Sequence, residues 1–473
     1  MPPPPPPASD ATANPASVHT TRVAFFAATA ALGGFLFGFD SAVVNGAVFG
    51  IQRSFDASSA GTGFAVASIL VGCAVGALVA GRLADRVGRK PVMVMTAVVF
   101  AATAIWSALA GSAAMFTVAR FFSGIAVGAA SVVSPAYTAE ISPPRIRGRL
   151  ASLQQLGIVI GIFAALLSDH LLAKAAGGAN GRLWSGLDAW RWMFLVEIAP
   201  AVLFGFATVL IPESPRYLVA AKREARALAV LLMIDRSATE SDVMSIRRTI
   251  ETDRAPRFAD LRSPQGKVLP IVWIGTALSM LQQLVGINSI FYYGDVLWQS
   301  VGFTSNDSLR NNVITGVINI LATLVAIAFV DRWGRRPLLL WGSAGMGVTL
   351  AALVLAFATA SRVDGHLVLS RPMAVAALIS ANLYVFAFGM SWGPVVWVLL
   401  GEVFPNAIRG AAMAAAVFAQ WIANWLITIT FPPIVAAAGP GAAYAMYLAF
   451  TIVSFLFVKR FLKETKGRTL EEA

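Results

Sequence analysis

Leu281-Gln-Gln-Leu-Val-Gly-Ile-Asn-Ser-Ile-Phe-Tyr-Tyr-Gly294 lies inside an apolar run, Val268 to Val301, that is long enough to cross a bilayer. Within hydrocarbon an unpaired amide costs several kcal/mol, so Gln282, Gln283 and Asn288 are expected to face a wet cavity or another helix. On an ideal helix these three, with Tyr292 and Tyr293, spread over an arc of roughly 220°. That is too wide for one stripe, and Gly286 offers a place for the helix to loosen and gather them. Neutral donors and acceptors beside aromatic rings suit a neutral, polyhydroxylated ligand. Hydrogen bonding between helices is the alternative use of such amides.

The rest of the composition agrees with a membrane setting. Of 473 residues, 57% are hydrophobic and only 13% charged, and the mean hydropathy is +0.72. A soluble chain carries about twice that charge fraction. Cys73 is the single cysteine, and His19, His170 and His366 lie far apart, so no metal-ligand spacing is present. There is no phosphate-cradling glycine loop and no hydrolytic triad. Neither a cofactor nor an enzymatic reaction is expected.

Residues 1–21 form a Pro-rich tail that cannot bury a core. It lacks the basic region of a signal peptide, so the first apolar segment is expected to stay. Twelve runs of spanning length follow, at about 23–49, 61–81, 91–110, 113–138, 149–172, 191–211, 268–300, 311–330, 337–360, 372–401, 411–432 and 442–462. The predicted fold is an all-α membrane protein of two six-helix bundles, 22–211 and 268–462. A charged, helix-patterned segment at 212–267 joins them, and 463–473 is a tail. If the N-terminus is inside, the inside segments hold 28 of the 36 Lys and Arg and the outside ones 7, with Arg120 left inside a span. This bias places both termini in the cytoplasm and explains the basic charge without nucleic acid.

The chain repeats itself. Asp85-Arg-Val-Gly-Arg-Lys-Pro91 answers to Asp331-Arg-Trp-Gly-Arg-Arg-Pro337, and Glu140-Ile-Ser-Pro-Pro-Arg-Ile-Arg-Gly148 to Glu402-Val-Phe-Pro-Asn-Ala-Ile-Arg-Gly410. Pro212-Glu-Ser-Pro-Arg216 answers more loosely to Glu464-Thr-Lys-Gly-Arg468. The offsets of 246, 262 and about 251 residues define a parallel repeat, an arrangement in which two halves rock around a central site.

Those elements, with Gly33-Gly-Phe-Leu-Phe-Gly-Phe-Asp40, Gln282-Gln-Leu-Val-Gly-Ile-Asn288 and Ser391-Trp-Gly-Pro394, carry a resemblance. From Ala30 to Glu472 the chain resembles the sugar porter branch of the major facilitator superfamily, in particular bacterial and cyanobacterial glucose and hexose carriers. The resemblance implies a secondary transporter that imports a monosaccharide by alternating access, with protons as the coupling ion, in a bacterial inner membrane. No obligate protein partner is evident. A uniporter of the same fold and a non-transporting sugar sensor are the alternatives.

The resemblance also implies roles for single residues. Gln155, Asn319, Trp392 and Gln420, with Trp421 beside the last, join Gln282, Gln283 and Asn288 as sugar contacts. Amides pair with several hydroxyls at once, and an indole face packs on the C–H face of a pyranose. Asp40 and Arg120 lie deep within spans, where ionisable groups are functional candidates by default. They are expected to form a proton-switched pair, with Glu197 as an accessory. Gly393 and Pro394 should kink the tenth span, since proline removes a backbone hydrogen bond. Tyr292 and Tyr293 are candidates for an external gate. Asp85, Arg89, Glu140, Arg147, Glu213 and Arg216 in the first half are expected to form a cytoplasmic gate with Asp331, Arg335, Glu402, Arg409 and Glu464 in the second. Glu140 with Arg147 and Glu402 with Arg409, each seven apart, are its expected pairs.

Overall fold

Among the described residues, twelve helices are long and apolar enough to cross a membrane. In the first half they are Thr20–Ala42, Ser59–Val87, Arg89–Ala108, Ala113–Ile141, Gly148–Ala176 and Ala189–Leu210. In the second they are Pro270–Gln299, Ser305–Val330, Arg335–Ala358, Arg371–Val403, Arg409–Ala438 and Pro440–Phe461. The computed structural model describes residues 19–143, 146–252, 258–263, 265–363, 366–405 and 408–464. The tail before His19 lies outside them, as do the side chains of Arg147 and Asp331.

Helices are the expected solution, because a helix satisfies its own amides where no water can. Several start on a side-chain cap: Ser58 accepts from Gly61 N–H, Ser112 from Met115 and Thr304 from Asp307. The first span bends at Val43 and runs on as Val44–Ser54.

Small residues set the packing of the first half. Gly72 and Gly76 in the second span face the carbonyls of Phe121 and Ile125, while Gly124 and Gly128 in the fourth face those of Ile69 and Cys73. The first and fifth spans repeat the device. Gly38 lies on the Ile158 carbonyl, and Gly157 and Gly161 on those of Ala31 and Phe35. A Cβ at any of these positions would meet backbone, so the pairs approach as only glycine allows.

The halves meet where the second span packs on the eleventh and the fifth on the eighth. Between them, Pro215–Ala220, Glu224–Ile234 and Glu240–Thr252 form short helices at the end rich in Lys and Arg, called the basic end below. His19 N–H donates to the Ile234 carbonyl at 2.9 Å, tying the first span to this segment. At the opposite end a two-stranded hairpin pairs Ser361–Val363 with His366–Val368.

The charged repeats take the same form in each half. Arg89 pairs with Asp85 at 2.9 Å and Glu140 at 3.0 Å, and Arg335 grips Glu402 at 2.7 and 3.1 Å. Glu213 accepts the N–H groups of Arg89 at 3.0 Å and Lys90 at 3.2 Å, capping the third span. Glu464 does the same for the ninth through Arg335 and Arg336, each at 3.0 Å. A carboxylate on free helix-start amides opposes the positive end of the helix dipole. Burial pushes the Glu213 carboxyl above the ordinary carboxylate range, and the amides of Ser214, Arg89 and Lys90 work against that.

Candidate functional site

Two broken helices build the site. The seventh span is helical over Pro270–Leu284 and again over Ile287–Gln299, with Gly286 between at φ 87°. Gly286 faces the Tyr447 ring, Tyr384 donates to the freed Val285 carbonyl at 2.7 Å, and Tyr447 and Ser289 share a hydrogen bond of 2.7 Å. Two tyrosines therefore brace the break. Gly286→Ala forces a side chain into a left-handed position and onto the Tyr447 ring, at a cost of about 1–3 kcal/mol. The expected result is a lower melting temperature in detergent. An unchanged melting temperature would show that the break tolerates a Cβ.

The tenth span breaks at Met390–Ser391, where Ser391 leaves helical geometry at φ −133°, ψ −87°, three residues before Pro394 and two before Gly393. Gln282 spans the two breaks, donating to the carbonyls of Trp392 at 2.8 Å and Gly393 at 3.1 Å. Asn288 donates to Gln283 at 2.6 Å, and Gln283 to Gln282 at 3.4 Å. The three amides of the seventh span thus form one chain, gathered by the turn at Gly286.

This chain lines a cavity of about 110 Å³ between the halves. Gln155 from the fifth span, Asn319 from the eighth and Gln420 and Trp421 from the eleventh join it there, as expected, and Tyr292 lies against it. Gln420 Oε1, Trp421 Nε1 and Thr323 Oγ1 are buried in its wall without a hydrogen-bond partner among the described residues. Buried polar groups are normally satisfied, so such orphans mark where a polar ligand would sit.

Trp392 is placed elsewhere. It is fully buried, and its indole donates to Ser343 Oγ at 2.9 Å and the Leu339 carbonyl at 3.2 Å in the ninth span. The tryptophan of the tenth span that reaches the cavity is Trp397, on the helix that restarts after the break. Tyr293 also points away, stacking on Phe431 at 5.3 Å and donating to the Thr428 carbonyl at 3.1 Å. Phe37 and Asn424 line the cavity too and were not read from the sequence. Phe37 meets Trp421 edge-on at 5.6 Å across the junction of the halves.

Behind the cavity, on another face of the first span, lies a charged cluster. Asp40 is 0% exposed, Arg120 and Glu197 1%, and Ser123 2%. Arg120 Nη1 pairs with Asp40 Oδ1, and Nη2 donates to the Asp40 backbone carbonyl at 2.9 Å. Ser123 donates to Asp40 Oδ2 at 2.6 Å. Glu197, at the joint in the sixth span, neighbours both Asp40 and Arg120. The Arg120 guanidinium also lies over the Phe194 ring at 5.3 Å.

Towards the end opposite the basic one the halves are bridged by Asn45, which sequence reading passed over. Its amide donates to the Phe291 carbonyl at 3.0 Å and its oxygen accepts from Asp295 N–H and from Asn312, both at 2.9 Å. One side chain of the first half thereby holds the seventh and eighth spans. At the basic end Glu140 and Glu402 hold Arg89 and Arg335 of their own halves, and Arg409 donates to the Phe404 carbonyl at 3.1 Å. Arg216 lines a cleft there with Glu140 and Arg409.

A family model described as "Sugar (and other) transporter" matches residues 26–473. The chain is 53% identical to the glucose transport protein of Synechocystis sp., over 95% of this chain and 96% of that one. It is 37% identical to the D-xylose-proton symporter of Escherichia coli K12, over 94% and 93% of the two. A solved structure of the xylose transporter XylE from E. coli, in a partially occluded inward-open conformation, matches with a TM-score of 0.83 and 34% identity. That match covers 95% of this chain and 100% of the other. Two six-helix halves, the charged repeats and matches along nearly the whole chain agree, and the protein belongs to the sugar (and other) transporter family of the major facilitator superfamily.

Proposed function

We propose that the protein imports a monosaccharide, a hexose with D-glucose first, by proton symport across a bacterial inner membrane. The observation that carries this is the cavity between the halves, where buried amide and indole groups lack partners while an ion pair lies one helix face behind. The sugar's hydroxyls would satisfy Gln420 and Trp421 and compete for the amide chain of Gln282, Gln283 and Asn288. Asn319 and Gln155 would meet it from the two halves. The names of the relatives support glucose as substrate and the proton as coupling ion.

Alternating access then needs two steps. The Asn45 bonds part to admit sugar from outside and re-form behind it. A proton arriving on Asp40 neutralises the carboxylate, Arg120 loses its counter-charge, and the first and fourth spans are free to shift. The Lys and Arg bias supports both termini in the cytoplasm, which puts the Arg89 and Arg335 clusters at the inner gate. Glu140, Arg147, Glu213 and Arg216 would act there against Asp331, Glu402, Arg409 and Glu464.

Lightly buffered, de-energised cells that express the protein should alkalinise the medium when D-glucose is added, and an uncoupler should remove the signal. Uptake without alkalinisation would replace symport with facilitated diffusion. It would leave Asp40 and Arg120 as a packing pair.

A further inference from the structure

Serine and threonine inside a helix commonly bond back to a carbonyl one turn earlier. Thr96 does so to Val92 at 2.8 Å, Thr138 to Ser134 at 3.0 Å and Ser343 to Leu339 at 2.7 Å. Ser123, in the same fourth span as Thr138, does not. Its hydroxyl donates across to Asp40 Oδ2 at 2.6 Å, one helical turn from Arg120, which takes Oδ1. The two oxygens of one buried carboxylate are thus divided between a cation and a hydroxyl of the same helix.

We propose that Ser123 is a positioning residue for the proton step, holding Asp40 in both its ionised and its protonated form. This rests on Asp40 being the proton carrier. A guanidinium has donors only, so Arg120 can serve the carboxylate but not accept a proton from the acid. A hydroxyl can do both. With Asp40 ionised, Ser123 donates to it. With Asp40 protonated, the same oxygen can accept the acid's O–H, so the neutral acid keeps a partner when Arg120 moves off. Without Ser123 the buried acid would have to find another acceptor.

The other titratable groups around Asp40 are Cys73 from the second span, Arg120 from the fourth and Glu197 from the sixth, with Tyr292 of the seventh close to Cys73 and Arg120. Of these, Glu197, which lies within hydrogen-bond reach of Asp40 from a different helix, is the strongest competing acceptor.

Hydrogen bonds to an ion are roughly twice as strong as those between neutral groups. Ser123→Ala therefore loses more from the ionised state than from the protonated one. The expected result is an upward shift, by about one pH unit, in the midpoint of the pH profile of sugar accumulation. Ser123→Thr keeps the hydroxyl and should keep the wild-type midpoint. Sugar-for-sugar exchange, which needs no net proton movement, reports that each variant is folded and binds.

The profile is measured in vesicles for wild type, both Ser123 variants and Asp40→Asn. An Ala midpoint equal to wild type, with Asp40→Asn unable to accumulate sugar, would overturn the role of Ser123 and leave the coupling reading intact. If Asp40→Asn still accumulates sugar, the coupling reading itself has failed, and the inference falls with it. A shift shared by Ala and Thr would mean that packing, not the hydroxyl, sets the midpoint, and would also overturn it.

Discussion

Asp40→Asn is expected to abolish uphill accumulation of sugar, so that the internal concentration stops at the external one, while sugar exchange continues. Asparagine keeps an oxygen where Arg120 Nη1 now finds Oδ1 and leaves the backbone carbonyl that takes Nη2. It cannot carry a proton. The cost lies in the orphaned guanidinium, since removing one partner of a buried pair typically costs about 3–5 kcal/mol. Glu197 stands beside Arg120 and can take over part of that charge, and the Phe194 ring lies over the guanidinium at 5.3 Å. The protein should therefore still insert and exchange sugar at a reduced level. Exchange and accumulation measured in the same vesicles separate a lost proton from a lost fold. Undiminished accumulation would end the coupling claim.

Gln282→Ala is expected to have the largest effect on binding. The side chain does two things at once: it faces the cavity and it ties the seventh span to the break in the tenth through the Trp392 and Gly393 carbonyls. Loss of one or two hydrogen bonds to a sugar is worth about 1–3 kcal/mol, or roughly 5- to 150-fold in Kd. Untying the tenth span adds to this, because Trp397 rides on the segment that restarts there. Equilibrium binding in detergent tests the point directly. Normal affinity would remove Gln282 from the site.

How far the site could be read from sequence differs residue by residue. The turn at Gly286 was readable because three amides and two tyrosines could not share one face of an intact helix. Gln420 and Trp421 followed from the resemblance, and the structure sets both on the cavity wall. Trp392 and Trp397 show the limit. They are five residues apart on one segment, and the break at Met390–Ser391 resets the helical phase just before both. Residue type cannot say which of them then points inward. The charged motifs show another limit. A spacing of seven points to Glu140 with Arg147, whose side chain lies outside the described residues, and says nothing of Arg89 and Ser214, the described partners of Glu140, 51 and 74 residues away. Such partners are chosen by the packing of the spans, which no local pattern reports. Asn45 and Ser123 were missed for a related reason: a single polar residue in an apolar run acquires meaning only from what stands opposite.

The two capping carboxylates also bear on how the chain is made. Glu213 follows the sixth span and clamps the start of the third, while Glu464 follows the twelfth and clamps the start of the ninth. Each half is thus fastened by a residue that leaves the ribosome after its last helix. The first bundle holds its own fastening before the second has been synthesised, and can settle as a unit while translation continues. In the second bundle, likewise, the ninth helix gains its clamp only once synthesis has passed Glu464.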